Sequence, residues 1–403
     1  MTGSDRLLAP FSGLFHRLLD RIDHGLEEGA IEATLPGGGN RLLGGRAPGP
    51  VAIVEITSWR ALMRLATGGS AGWYRAWALG EWRSPDPVPL FELFMRNRVA
   101  LGTVGRATGL VRLAQRLWHG LRRNHRSGAR RNIEFHYDLG NDFYSPWLDP
   151  GMTYSSALFD EPLSPAQSLE SAQHKKLAAM LDRTATGTAD TILEIGCGWG
   201  SFAEAAARAG RKVHGITLSS EQKKAVEARM VRAGLEGVSV ALTDYRDVTG
   251  QYDAVVSIEM VEAVGQEYWP TYLDTIARSL KQGGRAAIQL ISIDDAIFEA
   301  YAASVDFIQR YIFPGGMLIS ESRFRSIAER RGLVWQEPVH FGLHYAETLK
   351  RWRAAFDTAV SAGRLPAEFD RSFADLWRYY LMYCEGGFRG GGIDVVQVTL
   401  VKR

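Results

Sequence analysis

One stretch, TILEIGCGWGSF at residues 191–202, constrains the fold of this chain more than any other. Its pattern predicts a short apolar strand that runs into a glycine-rich turn and then into a helix. From residue 189 onward, strands and helices alternate, with strands predicted at residues 190–195, 212–217, 238–242, 253–258 and 285–291. Such alternation is typical of a parallel sheet that helices cover on both faces. We therefore expect a Rossmann-like α/β domain.

The end of the chain predicts a modification of that sheet. A helix at residues 321–331 is followed by the strand-like LVWQEPVHF, and the closing GIDVVQVTLVKR reads as a late strand. A late antiparallel strand fits a doubly wound fold with a modified edge. The predicted fold class is therefore α/β, with a seven-stranded sheet whose last strand is antiparallel, plus a small N-terminal α/β domain.

The length of 403 residues exceeds one ordinary core and indicates two domains. We place an N-terminal lipid- or membrane-associated domain at residues 1–125 and a catalytic domain at residues 126–403. Between Glu92 and Glu134 there is no acidic residue, and arginines accompany a leucine and tryptophan stripe around residues 106–131. Such a basic amphipathic helix can lie on an anionic membrane. An interdomain helix with solvated arginines is the equal alternative.

Charge and cysteine content argue against several classes of function. The formal net charge is +2, which does not favour nucleic acid as a partner. The two cysteines, Cys197 and Cys384, form no disulfide framework, and no spacing of cysteine and histidine predicts a metal site. No uncharged run reaches the length of a membrane-spanning helix. We expect a cytoplasmic protein that associates peripherally with the inner membrane.

The glycine-rich turn predicts a cofactor. Gly196, Gly198 and Gly200 are spaced Gly-x-Gly-x-Gly, which differs from the spacing in dinucleotide-binding proteins. Glu194 precedes them and would repel a pyrophosphate, but not a ligand with an ammonium and a sulfonium group. S-adenosylmethionine is such a ligand, and open α/β sheets bind ligands at the carboxyl ends of their strands. A tight turn with no ligand is the alternative.

Polar residues after the next two strands are candidates for the rest of the cofactor. Thr217 and Leu218 end the second strand and Gln222 lies one turn further, so a hydroxyl and an amide can bind a ribose. Asp244, after the third strand, suits an adenine amino group, and Tyr245 suits stacking.

Seven motifs together resemble those of one known family. They are HYDLGNDFYSPWLDPGMTYSSALF (136–159), LEIGCGWGSF (193–202), GITLSSEQ (215–222), DYRDV (244–248), YIFPGG (311–316), HYAETLKRW (344–352) and CEGGFRGGGIDVVQV (384–398). The family is that of the cyclopropane-fatty-acyl-phospholipid synthases and mycolic acid cyclopropane synthases, and the resemblance runs from about residue 130 to the end. It implies S-adenosylmethionine as cofactor, an unsaturated phospholipid acyl chain as substrate, and a homodimer.

The resemblance also implies roles for individual residues. Tyr154 and Ser155 match positions at the methionine end of the cofactor, and Tyr137 in the same motif is a further cofactor candidate. The glycines, Thr217, Leu218 and Gln222 match cofactor contacts as well.

The active site of this family holds a bicarbonate ion near the transferred methyl group. Glu262 matches a glutamate that binds this ion, Tyr345 matches its tyrosine ligand, and Cys384 matches a cysteine at the same pocket. Glu262 also follows the fourth strand, where a charge faces the crevice and suits a general base. A charge that only stabilises the N-terminus of a helix is the alternative.

Three positions depart from the family pattern. Ser156 stands where the family has a catalytic-site cysteine, Ala263 replaces a histidine, and Ile291 stands where we place a further histidine. The cage around bicarbonate is therefore only partly present. Either fewer ligands hold the anion, or Glu262 itself is the base.

The implied reaction also demands a dry pocket. Attack of an alkene on a sulfonium methyl group leaves a carbocation that water would trap. Phe307, Tyr311 and Phe313 are candidates to line a substrate channel and stabilise the cation, with ordinary core packing as the alternative. Direct proton loss closes a cyclopropane ring, whereas a prior hydride shift gives a methylene or methyl branch.

The predicted function is thus formation of a cyclopropane fatty acid on membrane phospholipids by an S-adenosylmethionine-dependent methyltransferase. The same fold could instead produce methyl-branched, methylene-branched or furan-precursor fatty acids. A methyltransferase for a soluble small molecule and a non-catalytic relative that only binds lipid or cofactor are the remaining alternatives.

Overall fold

The structure is a computed structural model that describes residues 12–102, 104 and 139–403. Its residues fall into two compact units. The first contains residues 12–102, 294–314 and 367–393, and the second contains residues 139–293, 315–366 and 394–403. The predicted basic helix at residues 106–131 and the cofactor candidate Tyr137 lie outside the described residues.

The secondary-structure elements are numbered along the chain. The strands are β1 (Ala30–Thr34), β2 (Asn40–Gly44), β3 (Val51–Ile56), β4 (Trp82–Arg83), β5 (Thr191–Ile195), β6 (Lys212–Thr217), β7 (Val238–Leu242), β8 (Tyr252–Ile258), β9 (Leu280–Ile293), β10 (Leu333–His340) and β11 (Ile393–Lys402). The helices are α1 (Ser12–Gly25), α2 (Arg60–Ala78), α3 (Val88–Arg96), α4 (Arg98–Leu101), α5 (Asn141–Tyr144), α6 (Leu169–Arg183), α7 (Ser201–Arg208), α8 (Ser220–Ala233), α9 (Trp269–Ser279), α10 (Asp295–Ala302), α11 (Phe307–Tyr311), α12 (Glu321–Glu329), α13 (Gly342–Ser361) and α14 (Arg371–Arg389).

The first unit is built on a four-stranded sheet in the order β2–β1–β3–β4. Strand β1 pairs antiparallel with β2 and parallel with β3. Exposed and buried residues alternate strictly along β3, as in a strand with one face on a core and one face in water. This arrangement confirms the small N-terminal α/β region that the sequence predicts.

Two later segments of the chain pack with these N-terminal elements. Residues 294–314 carry α10 and α11, and residues 367–393 carry α14, although both segments fall within the catalytic domain predicted at residues 126–403. Glycines let α14 approach α3 closely, because a Cβ atom on Gly386 would lie only 2.5 Å from Phe91 Cβ. The boundary near residue 125 remains a prediction about which parts fold independently.

The second unit contains a seven-stranded sheet in the order β10–β11–β9–β8–β5–β6–β7. The pairs β5–β6, β5–β8, β6–β7 and β8–β9 are parallel, and β10–β11 is antiparallel. These features confirm the predicted fold class. The late strand β11 lies inside the sheet between β9 and β10, so β10 forms the edge. The strand order reverses at β5, and open α/β sheets bind ligands at such a reversal.

The core of this unit lies on both faces of the central strands. Ile192, Val213 and Val256 from three neighbouring strands pack with Phe202 of α7 and Ala287 of β9, and all five are buried. Strand β5 is buried along almost its whole length, as expected for a central parallel strand covered on both faces. This packing fixes the carboxyl ends of β5, β6, β8 and β9 at one edge of the sheet. Among the described helices, none is long and apolar enough to cross a bilayer.

Candidate active site

The turn after β5 exposes backbone to an open cleft. Gly196 and Gly198 have φ angles of 83° and 50°, a region that residues with a side chain rarely adopt. A Cβ atom on Gly198 would meet no atom within 4 Å, whereas one on Gly196 would lie 2.8 Å from Met260 Cγ. Gly200 instead caps α7, and its missing side chain makes room for Val226. The first two glycines therefore border the cleft, and the third serves packing.

The cleft lies within the second unit and holds about 970 Å³, counting its solvent-open mouth. Most of the predicted cofactor residues line it. They are Tyr154, Ser155, Glu194, Gly196, Gly198, Thr217, Leu218, Gln222 and Tyr245. Residues from four separate stretches of the sequence thus come together at the carboxyl ends of the strands.

Glu194 supplies a buried carboxyl group to the wall of this cleft. The residue is buried, and among the described residues its Oε2 atom has no hydrogen-bond partner. Burial raises the pKa of this carboxyl well above its ordinary value, and Lys176 and Arg229 oppose that rise. An unpartnered carboxylate oxygen beside an opening lined by backbone fits a ligand that brings its own positive charge.

The residues at the end of β6 are held in place by one another. The Thr217 hydroxyl donates a 2.7 Å hydrogen bond to Gln222 Oε1, and the Ser219 backbone N–H donates to Thr217 Oγ1 at 3.1 Å. Ser219 also caps α8 by accepting a bond from the backbone N–H of Gln222. The hydroxyl and the amide that we expect to bind a ribose are therefore fixed before any ligand arrives.

Asp244 has a different position from its neighbour Tyr245. Its carboxylate accepts hydrogen bonds from Arg246 Nε at 2.8 Å and Nη2 at 2.6 Å, and it is absent from the lining of the cleft. Tyr245 does line the cleft, with its ring 5.6 Å from that of Tyr272. The adenine contact of Asp244 therefore stays a prediction, and its carboxylate already has a cationic partner.

Glu259 lies at the end of β8, where three donors converge on its carboxylate. Oε1 accepts hydrogen bonds from the Ser156 backbone N–H at 2.9 Å and from Gln289 Nε2 at 2.7 Å. Oε2 accepts a bond from the Tyr345 hydroxyl at 2.8 Å. Glu259 also lines the cleft, so this carboxylate connects the cofactor side of the site with the residues behind it.

A buried lysine compensates the negative charges of this region. Lys176 on α6 is fully buried, and its Nζ donates a 2.6 Å hydrogen bond to Ser155 Oγ. Burial lowers the pKa of Lys176 to about 8, while Glu259, Asp149 and Glu194 raise it. In turn, burial raises the pKa of Glu259, and the charge of Lys176 is the main influence that lowers it.

Glu262 follows one turn after Glu259, in a 3-10 turn at Val261–Ala263. Its Oε1 accepts a hydrogen bond from the backbone N–H of Ile291. Although the residue is only partly buried as a whole, its Oε2 is shielded from solvent and has no partner among the described residues. Burial and the nearby Glu259 raise the pKa of Glu262 to about 8. Glu262 therefore holds a proton far more strongly than an exposed glutamate does.

The remaining predicted catalytic residues are Tyr345, Ser156 and Cys384. The Tyr345 hydroxyl donates to Glu259 rather than to Glu262. Ser156 contributes its backbone N–H, while its hydroxyl donates to the carbonyl oxygen of Ala157 at 3.0 Å. Cys384 belongs to the first unit, where burial raises the pKa of its thiol. Its role at the pocket stays a prediction.

The three channel candidates lie among aromatic residues of the first unit. The ring of Phe307 lies 4.9 Å from those of Tyr74 and Tyr379, and the ring of Tyr311 lies 4.8 Å from that of Tyr74. The ring centroid of Phe313 lies 6.2 Å from that of Tyr380. Their contribution to a substrate channel stays a prediction.

Sequence reasoning missed three residues of the site. Glu259 and Glu262 both follow β8 in the stretch EMVE, and only the second was singled out. On β9, the side chain that reaches the carboxylates is that of Gln289, two residues before Ile291, which contributes its backbone N–H instead. Because side chains alternate along a strand, Gln289 and Ile291 lie on the same face, and this pattern could have indicated Gln289. Lys176 gives no such signal, because charged helix residues are usually solvated.

Comparison with known proteins identifies the family. The family model for mycolic acid cyclopropane synthetase matches residues 124–398. The chain belongs to this family. Tuberculostearic acid methyltransferase UfaA1 from Mycobacterium tuberculosis is 38% identical over 346 residues, which cover 84% of this chain and 80% of that protein. Cyclopropane-fatty-acyl-phospholipid synthase from Escherichia coli is 36% identical over 269 residues, which cover 66% of each chain.

Solved structures of the family agree with this assignment. Mycolic acid cyclopropane synthase CmaA1 complexed with SAH and CTAB superposes with a TM-score of 0.62 at 29% identity, covering 68% of this chain and 98% of that structure. The resemblance inferred from the motifs is thereby confirmed. This family member is an S-adenosylmethionine-dependent methyltransferase, and the cofactor predicted from the glycine-rich turn is confirmed with it.

Proposed function

We propose that this methyltransferase transfers a one-carbon unit from S-adenosylmethionine to the double bond of an unsaturated fatty acyl chain in a membrane phospholipid. The observation that carries the proposal is a pair of half-buried glutamates, with Glu259 on the wall of the cofactor cleft and Glu262 one turn further. Alkylation of a carbon–carbon double bond must end with loss of a proton, and a shielded carboxylate is suited to accept it. Methylation of an amine or a hydroxyl group also releases a proton, but that proton leaves nitrogen or oxygen and can pass to solvent, whereas here it leaves carbon inside a dry site.

The cleft residues fit the cofactor. Glu194 offers to a cationic group a carboxylate oxygen that has no partner among the described residues, and Gly196 and Gly198 let a ligand approach the backbone. Thr217 and Gln222 present a fixed hydroxyl and amide. When bound, S-adenosylmethionine supplies an electrophilic methyl group on a sulfonium.

The chain itself has to exclude water and remove the proton. A carbocation on the acyl chain survives only in a dry site, because water would add to it. Ser156, Gln289 and Tyr345 are all buried and occupy the donor positions around Glu259 that water would otherwise fill. A positioned general base of this kind contributes roughly 10²- to 10⁴-fold to the rate.

The ring-closed product that the sequence predicts and a branched product share the same first steps. If the proton leaves directly, the ring closes to a cyclopropane; if a hydride shifts first, the product carries a methylene or methyl branch. The similarity to tuberculostearic acid methyltransferase UfaA1 covers 84% of this chain, against 66% for the cyclopropane synthase. That breadth favours the branched product as the second candidate.

Product analysis with labelled methionine tests the proposal. The protein is expressed in a host rich in monounsaturated phospholipid and fed methyl-trideuterated methionine, and the fatty acids are analysed by mass spectrometry beside an empty-vector control. Loss of one deuterium from the transferred carbon indicates a cyclopropane or a methylene product, and carbon NMR distinguishes these two. Retention of all three indicates plain methylation. Absence of any labelled fatty acid contradicts the proposal and favours a soluble small molecule as substrate.

We also propose that the protein works as a homodimer, peripherally bound at the cytoplasmic face of the inner membrane. The arginine-rich stretch at residues 106–131 supports attraction to anionic lipid. Co-sedimentation with anionic vesicles at low salt, compared with neutral vesicles, tests this point. Equal recovery in both pellets, or in neither, contradicts it.

A further inference from the structure

The polar groups behind the cleft are arranged around a carboxylate of the protein itself. The family resemblance implies that a bicarbonate ion accepts a bond from the tyrosine at position 345 and lies beside the glutamate at position 262. In this chain the Tyr345 hydroxyl donates to Glu259 Oε2 at 2.8 Å. The Ser156 N–H and Gln289 Nε2 complete the donor set on Oε1. These three donors, which could hold an external anion, are therefore already engaged by Glu259.

We propose that the carboxylate of Glu259 takes the place of the bicarbonate ion and is the proton acceptor of the reaction, so that this enzyme works without bicarbonate. The inference rests on the proposed function, because only alkene alkylation requires a base at this point. The inference identifies the base, and it means that bicarbonate is not required for the reaction.

The backbone at Glu259 supports a dedicated role for this side chain. Its φ angle is 51°, in the left-handed region that strongly favours glycine. The conformation is held by a 2.8 Å hydrogen bond from the Glu259 N–H to the Gln289 carbonyl oxygen. A non-glycine residue in such a conformation is costly, and the exposed Glu337 shows that the conformation alone does not mark a site. At Glu259 it coincides with three hydrogen-bond donors on the carboxylate, and this combination supports a role for the side chain.

The charges around Glu259 fit one resident anion and exclude a second. Lys176 provides the compensating positive charge, and Glu262, which favours its protonated form, adds little negative charge at neutral pH. A bicarbonate ion placed here would face the carboxylate of Glu259 at close range without a donor of its own from this set. Like charges that share a buried site repel strongly.

The step balances without an external reactant. The π electrons of the acyl double bond form a bond to the sulfonium methyl carbon, and the electron pair of the breaking carbon–sulfur bond stays on sulfur. The positive charge moves to the neighbouring acyl carbon. A C–H bond of the transferred carbon then breaks, its electrons form the third ring bond or, after a hydride shift, a double bond, and the proton goes to Glu259.

Two variants test the assignment in buffer depleted of carbon dioxide. Glu259→Gly suits the local backbone and leaves space and three donors for an anion. Glu337→Gly makes the same change at another glutamate with positive φ, 52°, that is exposed and does not line the cleft. We expect the wild type and Glu337→Gly to turn over equally with and without added bicarbonate. Glu259→Gly should lose about 100-fold without bicarbonate and regain at least 10-fold with it.

A binding measurement separates this inference from the choice of substrate. Carbon-13 bicarbonate is titrated by NMR into each purified protein with S-adenosylhomocysteine bound, so that no turnover is required. Saturable binding by Glu259→Gly and none by the wild type supports the assignment, even if unsaturated phospholipid is not the substrate. Saturable binding by the wild type overturns it. So does wild-type turnover that falls 10-fold without bicarbonate, or a Glu259→Gly variant that bicarbonate neither binds nor rescues.

Discussion

Replacing Glu262 by glutamine should remove a large part of the pH dependence of stability at this site. The pKa of Glu262 rises from an ordinary 4.5 to about 8 in the folded protein. The folded state therefore binds this proton more tightly than the unfolded state. The resulting stabilisation is fully present below about pH 4.5 and is lost as the pH rises through 8. Glutamine has nearly the same shape, still accepts the bond from the Ile291 N–H, and does not titrate.

The magnitude follows from linkage. Where the folded state binds one proton more than the unfolded state, each pH unit changes the free energy of unfolding by about 1.4 kcal/mol. The unfolding free energy of the wild type relative to Glu262→Gln should therefore fall by about 3.5 kcal/mol between pH 5 and pH 8. Urea unfolding followed by tryptophan fluorescence at each pH unit measures this difference. Glu236→Gln, at an exposed glutamate of the same unit, is the control and should leave the pH profile of stability unchanged. The reasoning would be refuted if the difference in unfolding free energy between the wild type and Glu262→Gln stayed constant within about 1 kcal/mol from pH 5 to pH 8.

Two further predictions concern glycines. Gly196→Ala places a Cβ 2.8 Å from Met260 Cγ at a φ of 83° and should weaken binding of S-adenosylhomocysteine by about 10-fold or more in calorimetry, whereas Gly187→Ala, at an exposed turn, should not. Gly386→Ala forces α14 away from α3 and should destabilise the protein by about 1–3 kcal/mol in thermal unfolding. Gly387→Ala on the same helix meets only side-chain atoms of Ile393, the nearer at 3.0 Å, and should have a smaller effect; equal losses for both would contradict the packing argument.

The sequence predicts the elements of this fold well because the sheet is buried on both faces. Strands β6 and β7 occur at the predicted residues, and β5 begins one residue later than predicted. Strand β9 is longer than predicted, since it starts at Leu280 instead of residue 285. Its first residues include Gly283 and Gly284, which read as a turn in the sequence. Pairing of Leu280 with Tyr252 of β8 overrides that local signal.

The site is less predictable than the fold because the contacts between its residues depend on where each side chain points and how deeply it is buried. Gly196 and Gly198 follow β5, Thr217 ends β6, and Gln222 lies in the first turn of α8, so their positions at the cleft could be inferred from the strand order. Which of two glutamates receives the Tyr345 hydroxyl depends on a left-handed backbone at Glu259 that no motif announces. The burial of Lys176 likewise depends on the acidic groups around it and not on its own helix pattern.

The position of β11 has a consequence for the order in which the sheet can be completed. This strand is synthesised after β5 to β10, yet it lies between β9 and β10, so β10 cannot join the sheet before β11 has been made. During translation the growing sheet therefore ends at β9 and exposes an unpaired strand edge, which is a site for association with other chains. Production in cells should thus depend on chaperones that protect this edge until the last strand is inserted.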